Sequence, residues 1–238
     1  MTKSSTKPSA RTAGSIQFPD PRTAGDDGLL CYGGDLKVET LLQAYGRGIF
    51  PWPQEGLPML WFSPLQRGIL DFNELHWPSR FLREVKSKFA PAKGEAPYKI
   101  TFDRDFSQVI HECAAIPRSH ETGTWIVPEI EDAYQDFHKA GFAHSVECWS
   151  GDRLIGGLYG VYVQGVFSGE SMFYKESDAS KFCLYGLVQK LQAMGLKWMD
   201  IQMVTPVLQT FGGKYISRDE FLERLRIAQI APPALSLK

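Results

Sequence analysis

A chain of 238 residues with 43% hydrophobic and 22% charged residues is long enough to bury one large or two small cores, and falls outside the disordered and membrane classes. With 26 basic against 27 acidic residues the net charge is −1, so no global field would hold nucleic acid and any such contact must be local. No stretch reaches spanning length and residues 1–15 read as a flexible polar tail without an apolar signal segment, which argues against export and predicts a cytoplasmic location.

In chain order, Val38, Leu41, Leu42 and Tyr45 recur at helical spacing behind Asp35, which stands where a cap would. Gly46 and Gly48 end that helix. Phe50-Pro51-Trp52-Pro53 and Leu60-Trp61-Phe62-Ser63-Pro64 are too proline-rich for helix interiors and read as a stiff, aromatic loop. Pro78 opens a second helix with Phe81, Leu82, Val85 and Phe89 on one face. Its other face and the following loop carry Arg80, Arg83, Lys86, Lys88, Lys93 and Lys99 against Glu84 and Glu95, a run that either grips phosphates or is simply solvated. A strand over 98–102, a helix over 106–116 and a loop over 117–124 follow. Residues 16–102 thus read as a small mixed α/β domain, with the boundary to the second domain somewhere between 100 and 128.

The pattern then changes. A helix over 128–140 presents Ile130, Ala133, Tyr134 and Phe137, and strands over 142–149 and 153–163 flank a hairpin turn. A strand over 165–173, a long helix over 179–194 and a strand over 197–202 come next, and Ser217 with Glu220 forms a capping box before the last helix. This order predicts an α+β fold with helices against a mostly antiparallel sheet in the domain 103–238.

Four scattered cysteines suggest buried thiols, and neither paired histidines, a Walker motif nor a dinucleotide-binding glycine pattern is found, so metal and common cofactors are not expected. His144 reads as a hydrogen-bonded structural histidine. Two strand segments carry polar groups that need a reason. Glu170 lies within Gly169-Glu170-Ser171-Met172-Phe173, otherwise a buried strand, where a carboxylate must find partners; a structural and a functional role are equally open. In Trp198-Met199-Asp200-Ile201-Gln202, alternation puts Asp200 and Gln202 on one face, either a solvated edge or, if buried, a hydrogen-bonded pair.

The chain resembles the leucyl/phenylalanyl-tRNA-protein transferase family over nearly its whole length. The resemblance rests on Gly33-Gly34-Asp35-Leu36, Arg47-Gly48-Ile49-Phe50-Pro51-Trp52, Trp61-Phe62-Ser63-Pro64, Gly123-Thr124-Trp125-Ile126, Ala143-His144-Ser145-Val146-Glu147, Gly156-Gly157-Leu158-Tyr159-Gly160 and Gly169-Glu170-Ser171-Met172-Phe173. It implies a small N-terminal domain and a C-terminal domain resembling the N-acetyltransferase fold. It also implies transfer of Leu or Phe from leucyl- or phenylalanyl-tRNA to the amine of proteins beginning with Lys or Arg, marking them for degradation, by a monomer without metal or nucleotide cofactor.

By that resemblance, Gln202 would accept a hydrogen bond from the attacking amine, Asp200 would hold and polarise the Gln202 amide, and Glu170 would orient the aminoacyl end. Trp52 and Trp125 would stack near the terminal adenosine, or else pack between domains. Leu158, Met172, Leu184 and Leu187 would form the side-chain pocket, and Arg80 and Arg83 would touch tRNA phosphates. The stretch 205–213 lacks the histidine or asparagine often found there in the family, which leaves the acceptor preference open. An acyl-CoA-dependent N-acetyltransferase is the nearest rival, although residues 174–179 lack the glycines of a pyrophosphate loop. A noncatalytic tRNA- or peptide-binding module is the other.

Overall fold

The computed structural model describes residues 16–90, 92–116 and 125–234, so the polar tail and the loop predicted over 117–124 lie outside the described residues. The elements are β1 (Leu29–Tyr32), α1 (Val38–Gly46), β2 (Phe50–Pro51), β3 (Leu60–Phe62), β4 (Gln66–Asp71), α2 (Ser79–Phe89), β5 (Lys99–Phe102), α3 (Phe106–Ala115) and α4 (Pro128–Lys139). They continue with β6 (Ala143–Ser150), β7 (Arg153–Val163), β8 (Val166–Tyr174), α5 (Ala179–Ala193), β9 (Trp198–Gln202), α6 (Pro206–Thr210), β10 (Lys214–Ser217) and α7 (Arg218–Ala228).

Most helices follow the predicted periodicity. At α3 the Asp105 carboxylate accepts from the Gln108 N–H, and at α7 the Ser217 hydroxyl accepts from the Glu220 N–H, each satisfying a donor that has no partner within its helix. Two expectations are corrected. The cap position of α1 belongs to Lys37; Asp35 sits two residues outside it and accepts from the Lys37 N–H and the Thr40 hydroxyl. On α2 only Phe81 is buried, while Leu82 is 40% exposed because it faces away from the sheet.

The prolines at 51 and 53 do not keep the aromatic segment out of a sheet. β2 and β3 pair antiparallel, and with β1 they form a three-stranded sheet in the order β1-β3-β2. The larger sheet has seven strands in the order β10-β4-β9-β8-β7-β6-β5, antiparallel except for β8 beside β9. Two of its strands, β4 and β5, come from residues 66–71 and 99–102, so the stretch before residue 103 contributes to both sheets.

Along β7, alternation sends Tyr159 and Val161 to one face of the large sheet and Leu158 and Tyr162 to the other. The first face packs on α1, α3, α4 and the small sheet. The second packs on α2, α5 and α6, with Leu184, Leu187, Val188 and Leu191 of α5 buried against it. The last helix, α7, covers β4 and β10 through Phe221, Leu222 and Leu225.

The start of α5 lies so close to β7 that only glycine fits at position 156, where an added Cβ would stand 2.6 Å from the Ala179 Cβ. Replacing Gly156 with Ala should therefore force the helix off the sheet and cost about 1–3 kcal/mol. Urea denaturation should show it as a lowered midpoint at unchanged slope; an unchanged midpoint would contradict this packing.

Candidate active site

Parallel β8 and β9 pair only where Ser168 faces Asp200. No further pairing follows, and residues of both strands line a pocket of about 320 Å³. Residues 169–172 of β8 and Met199, Ile201 and Gln202 of β9 line it. Trp52, Trp125 and Tyr159 close it from one face of the sheet, and Leu158, Leu184 and Leu208 from the other.

The pocket wall depends on an irregularity at the end of β9. Ile69 of β4 faces Asp200, whereas its neighbour Gly68 faces Gln202, so Ile201 is the extra residue of a bulge. Gln202 then takes φ +57°, a left-handed conformation costing a side-chain-bearing residue about 1–2 kcal/mol. The chain turns so tightly that a Cβ at Gly68 would lie 2.9 Å from the Met203 backbone. What offsets the strain is the Gln202 N–H, which donates to Asp200 Oδ1 at 2.9 Å.

Asp200 is held in turn by Arg67, a residue for which no role was expected. The Arg67 Nε and Nη2 groups donate to the two Asp200 oxygens at 2.8 and 2.7 Å, and the Ser168 hydroxyl adds a bond of 3.0 Å. Arg67 Nη1 donates to the Gly48 carbonyl at 3.3 Å, and its plane lies between the rings of Phe50 and Phe221, 4.5 and 4.6 Å from their centroids. This arrangement uses the planar fork and weak hydration of guanidinium, which an ammonium lacks.

Asp200 and Gln202 are thus hydrogen-bonded, but through the main chain, and the expectation that Asp200 holds the side-chain amide of Gln202 is corrected. That amide donates instead to Glu170, with Nε2 2.9 Å from Oε1. The carbonyl oxygen of Gln202 is the part of the amide left to accept from an incoming amine. Glu170 also bonds the Tyr45 hydroxyl, which pairs with the hydroxyl of Tyr134 deep between α1 and α4.

Glu170 keeps some exposure as a residue because it opens onto the pocket, yet its carboxyl is closely surrounded. Burial pushes its pKa up to about 8, with the nearby Asp200 charge adding to the rise and the bonds from Tyr45 and Gln202 opposing it. Burial, and then the Glu170 charge, hold Tyr45 well above the ordinary phenol range, so it stays a neutral donor.

Of the other residues named from sequence, Trp52 and Trp125 stack on each other, centroids 5.3 Å apart at 17°, and form one wall of the pocket. Leu158, Met172 and Leu184 line its apolar part. Leu187, one turn beyond Leu184 on α5, is not in the lining and is buried in the core. Asp200 lies behind the wall rather than in it. Arg80 and Arg83 are exposed on α2, outside the lining. His144 is 2.8 Å from Asp103 through Nδ1, as befits a structural histidine. Among the described residues no cluster of His, Cys, Asp or Glu is arranged to hold a metal ion, and no helix is long and apolar enough to cross a membrane.

Because Glu170 ionises near 8 when folded against an ordinary 4.5, the unfolded chain binds fewer protons between those values. The stability that the protonated carboxyl contributes is complete below pH 4.5 and is lost as pH rises towards 8. Glu170→Gln keeps the shape without the ionisation, so its stability should rise relative to the parent across that window and level off above it. Denaturation midpoints measured from about pH 4 to about pH 9 should show this; a difference independent of pH would contradict the burial of the carboxyl.

Comparison with known proteins bears on what such a pocket is for. The model of the family described as leucyl/phenylalanyl-tRNA protein transferase matches residues 69–226, and that of its N-terminal domain matches 34–65. The leucyl/phenylalanyl-tRNA–protein transferase of Oleidesulfovibrio alaskensis is 46% identical over 215 residues, covering 88% of this chain and 84% of its own. That of Desulfatibacillum aliphaticivorans is 47% identical over 210 residues, covering 88% and 87%. The solved structure of L-PGS from Bacillus licheniformis aligns over 69% of this chain and 64% of its own at 16% identity and a TM-score of 0.41, too low to bear on the fold. On the family match and these identities, the chain belongs to the leucyl/phenylalanyl-tRNA–protein transferase family.

Proposed function

We propose that this chain moves leucine or phenylalanine from the 3′ end of aminoacyl-tRNA to the N-terminal amine of proteins beginning with Lys or Arg, in the cytoplasm and as a monomer, marking them for degradation. The observation that carries this reading is an apolar pocket with a fixed amide in its wall, in a chain of this family: Leu158, Met172 and Leu184 line the pocket, and Gln202 is held by Asp200 and Glu170.

In this reading the leucyl or phenylalanyl side chain fills the apolar part of the pocket. A site of that kind separates side chains by only about 1–3 kcal/mol per methylene, which suits two substrates of unequal shape. The Trp52 and Trp125 pair offers an indole face to the terminal adenosine, where stacking is worth about 1–3 kcal/mol. Arg80 and Arg83 on α2 provide phosphate contacts farther along the tRNA.

The chemistry joins the amine nitrogen to the ester carbonyl carbon and breaks the bond from that carbon to the ribose oxygen. One proton leaves the nitrogen and one arrives on the departing oxygen. The ester is already activated and the amine, with an ordinary pKa of about 7.7–8.0, is partly neutral, so no nucleotide or metal is called for. The Gln202 carbonyl accepts a hydrogen bond from the amine and fixes its approach. Glu170, largely protonated at neutral pH, orients the Gln202 amide as a neutral partner. An amide is a poor base, so alignment, worth up to about 7–11 kcal/mol, carries more of the rate than proton removal.

One parallel pair within an otherwise antiparallel sheet, with a pocket lined by both of its strands, supports an acyltransferase-like organisation resembling the N-acetyltransferase fold. In it the region after residue 103, joined by β4 and β5, carries the acyl group, and the three-stranded sheet covers it.

Purified protein should transfer labelled leucine from tRNA to a peptide beginning with Arg, without acetyl-CoA, ATP or added metal. Gln202→Ala should lower kcat at least about 100-fold, the scale of a misplaced reactant, and leave the KM for leucyl-tRNA unchanged. Absence of transfer at saturating tRNA would refute the function, and an equal loss of tRNA binding in the variant would make Gln202 a recognition residue.

A further inference from the structure

If the adenosine takes the tryptophan wall and the amino acid takes the apolar interior, one part of the pocket rim remains. It is formed by Met203 and Thr205, directly after Gln202. Met203 is 50% exposed although it lines the pocket. Beside it stands Tyr215 of β10, 49% exposed, whose hydroxyl accepts from the Val204 N–H at 3.0 Å.

Register places this tyrosine relative to the reaction centre. Tyr215 faces Gly68, and Gly68 faces Gln202, so the three lie in one row across β10, β4 and β9. Two strand spacings separate Tyr215 from Gln202, about 10 Å. The absence of a side chain at Gly68 lets the Met203 backbone cross the row, which brings Met203 and Val204 towards the tyrosine.

Among the described residues no ring or cation packs on the Tyr215 ring, and the neighbouring Lys214 ammonium is engaged 2.5 Å from Glu74. The one acid in the lining is Glu170, which is bonded to Gln202 and Tyr45 and lies inside the pocket rather than on this rim. An exposed aromatic face attracts a cation, and a thioether packs on a methylene stem.

We propose that Met203 and Tyr215 form the subsite for the first side chain of the acceptor, Met203 taking the aliphatic stem of Arg or Lys and the Tyr215 ring taking its charged end. The inference rests on the function proposed above, because it requires the acceptor amine to lie at Gln202. From there a long basic side chain runs along the row towards β10, whereas a short or acidic one finds neither stem contact nor cation contact.

The test compares peptides beginning with Arg and with citrulline, which has nearly the shape of Arg without its charge, as acceptors of labelled leucine. Wild type should prefer the Arg peptide in kcat/KM. Tyr215→Leu should reduce that preference about two- to fivefold, the scale of an exposed cation–π contact. Tyr215→Phe, which keeps the ring and loses only the bond to Val204, should retain it. Met203→Ser should raise the KM of both peptides alike and leave the KM for leucyl-tRNA unchanged. An Arg-to-citrulline ratio that is unaffected in Tyr215→Leu, or that falls equally in Tyr215→Phe, would overturn the subsite while transfer itself persists. Failure of wild type to transfer to either peptide would overturn the underlying function and the subsite with it.

Discussion

Arg67 and Asp200, 2% and 0% exposed, form an ion pair in the interior of the protein. Removing two such charges from water costs several kcal/mol per ion, and attraction between them recovers this only with good geometry and with the remaining hydrogen-bonding capacity used. Those conditions are met by parts of the chain far apart in sequence. Gly48, just before the small sheet, supplies a carbonyl and Phe50 of β2 a ring; Phe221 of α7 supplies the second ring; Ser168 of β8 and the Gln202 main chain complete the carboxylate. The pair therefore joins both sheets and the last helix at the strand that carries Gln202. A pair of this kind is weak as a source of stability and effective as a means of fixing one geometry. Here the geometry fixed is a left-handed glutamine beside a pocket.

The two carboxyls near the pocket differ in what surrounds them. Asp200 is paired with a guanidinium and lies behind the wall, where it shapes the backbone. Glu170 faces the pocket with an amide and a phenol as partners, and burial, with the nearby Asp200 charge adding to it, raises its pKa to about 8. Their division follows from position: the charge that positions is kept away from the reactants, and the carboxyl that meets them is held mostly neutral at neutral pH. A neutral partner suits the Gln202 amide, since it fixes the side chain without adding a strong negative charge where an amine must approach as the free base.

Much of this was legible in the sequence where side chains keep a regular period. α3, α4 and α5 match their predicted ranges within a residue because each places apolar residues at helical spacing, and the β6–β7 hairpin matches within a residue because the turn at Ser150-Gly151-Asp152 marks it. Alternation singled out Asp200 and Gln202, and an acidic residue in an apolar strand singled out Glu170. What alternation could not give was the bulge at Ile201, which breaks the period and turns the expected side-chain pair into a main-chain contact. β4 escaped notice because a central strand buried on both faces has no alternation to read, and Arg67 and Gly68 interrupt its apolar run. Arg67 itself looks like an ordinary surface residue until Asp200, Phe50 and Phe221 are brought around it. The same limit explains Leu187, which shares a helix face with Leu184 yet points into the core one turn past the pocket.

If the buried pair serves to position Gln202 rather than to stabilise the fold, the two properties should come apart when both charges are removed together. The direct measurement is the single-turnover rate of leucine transfer by the Arg67→Met, Asp200→Leu double variant, taken alongside its denaturation midpoint. Apolar replacement of both members avoids the unpaired buried charge that either single replacement leaves, so the midpoint should lie above that of Arg67→Met or Asp200→Leu alone. The transfer rate should nevertheless fall at least about 100-fold, because nothing then holds the Gln202 main chain in its left-handed turn. A double variant that is both stable and transfers leucine at the parent rate would contradict the role assigned to the pair.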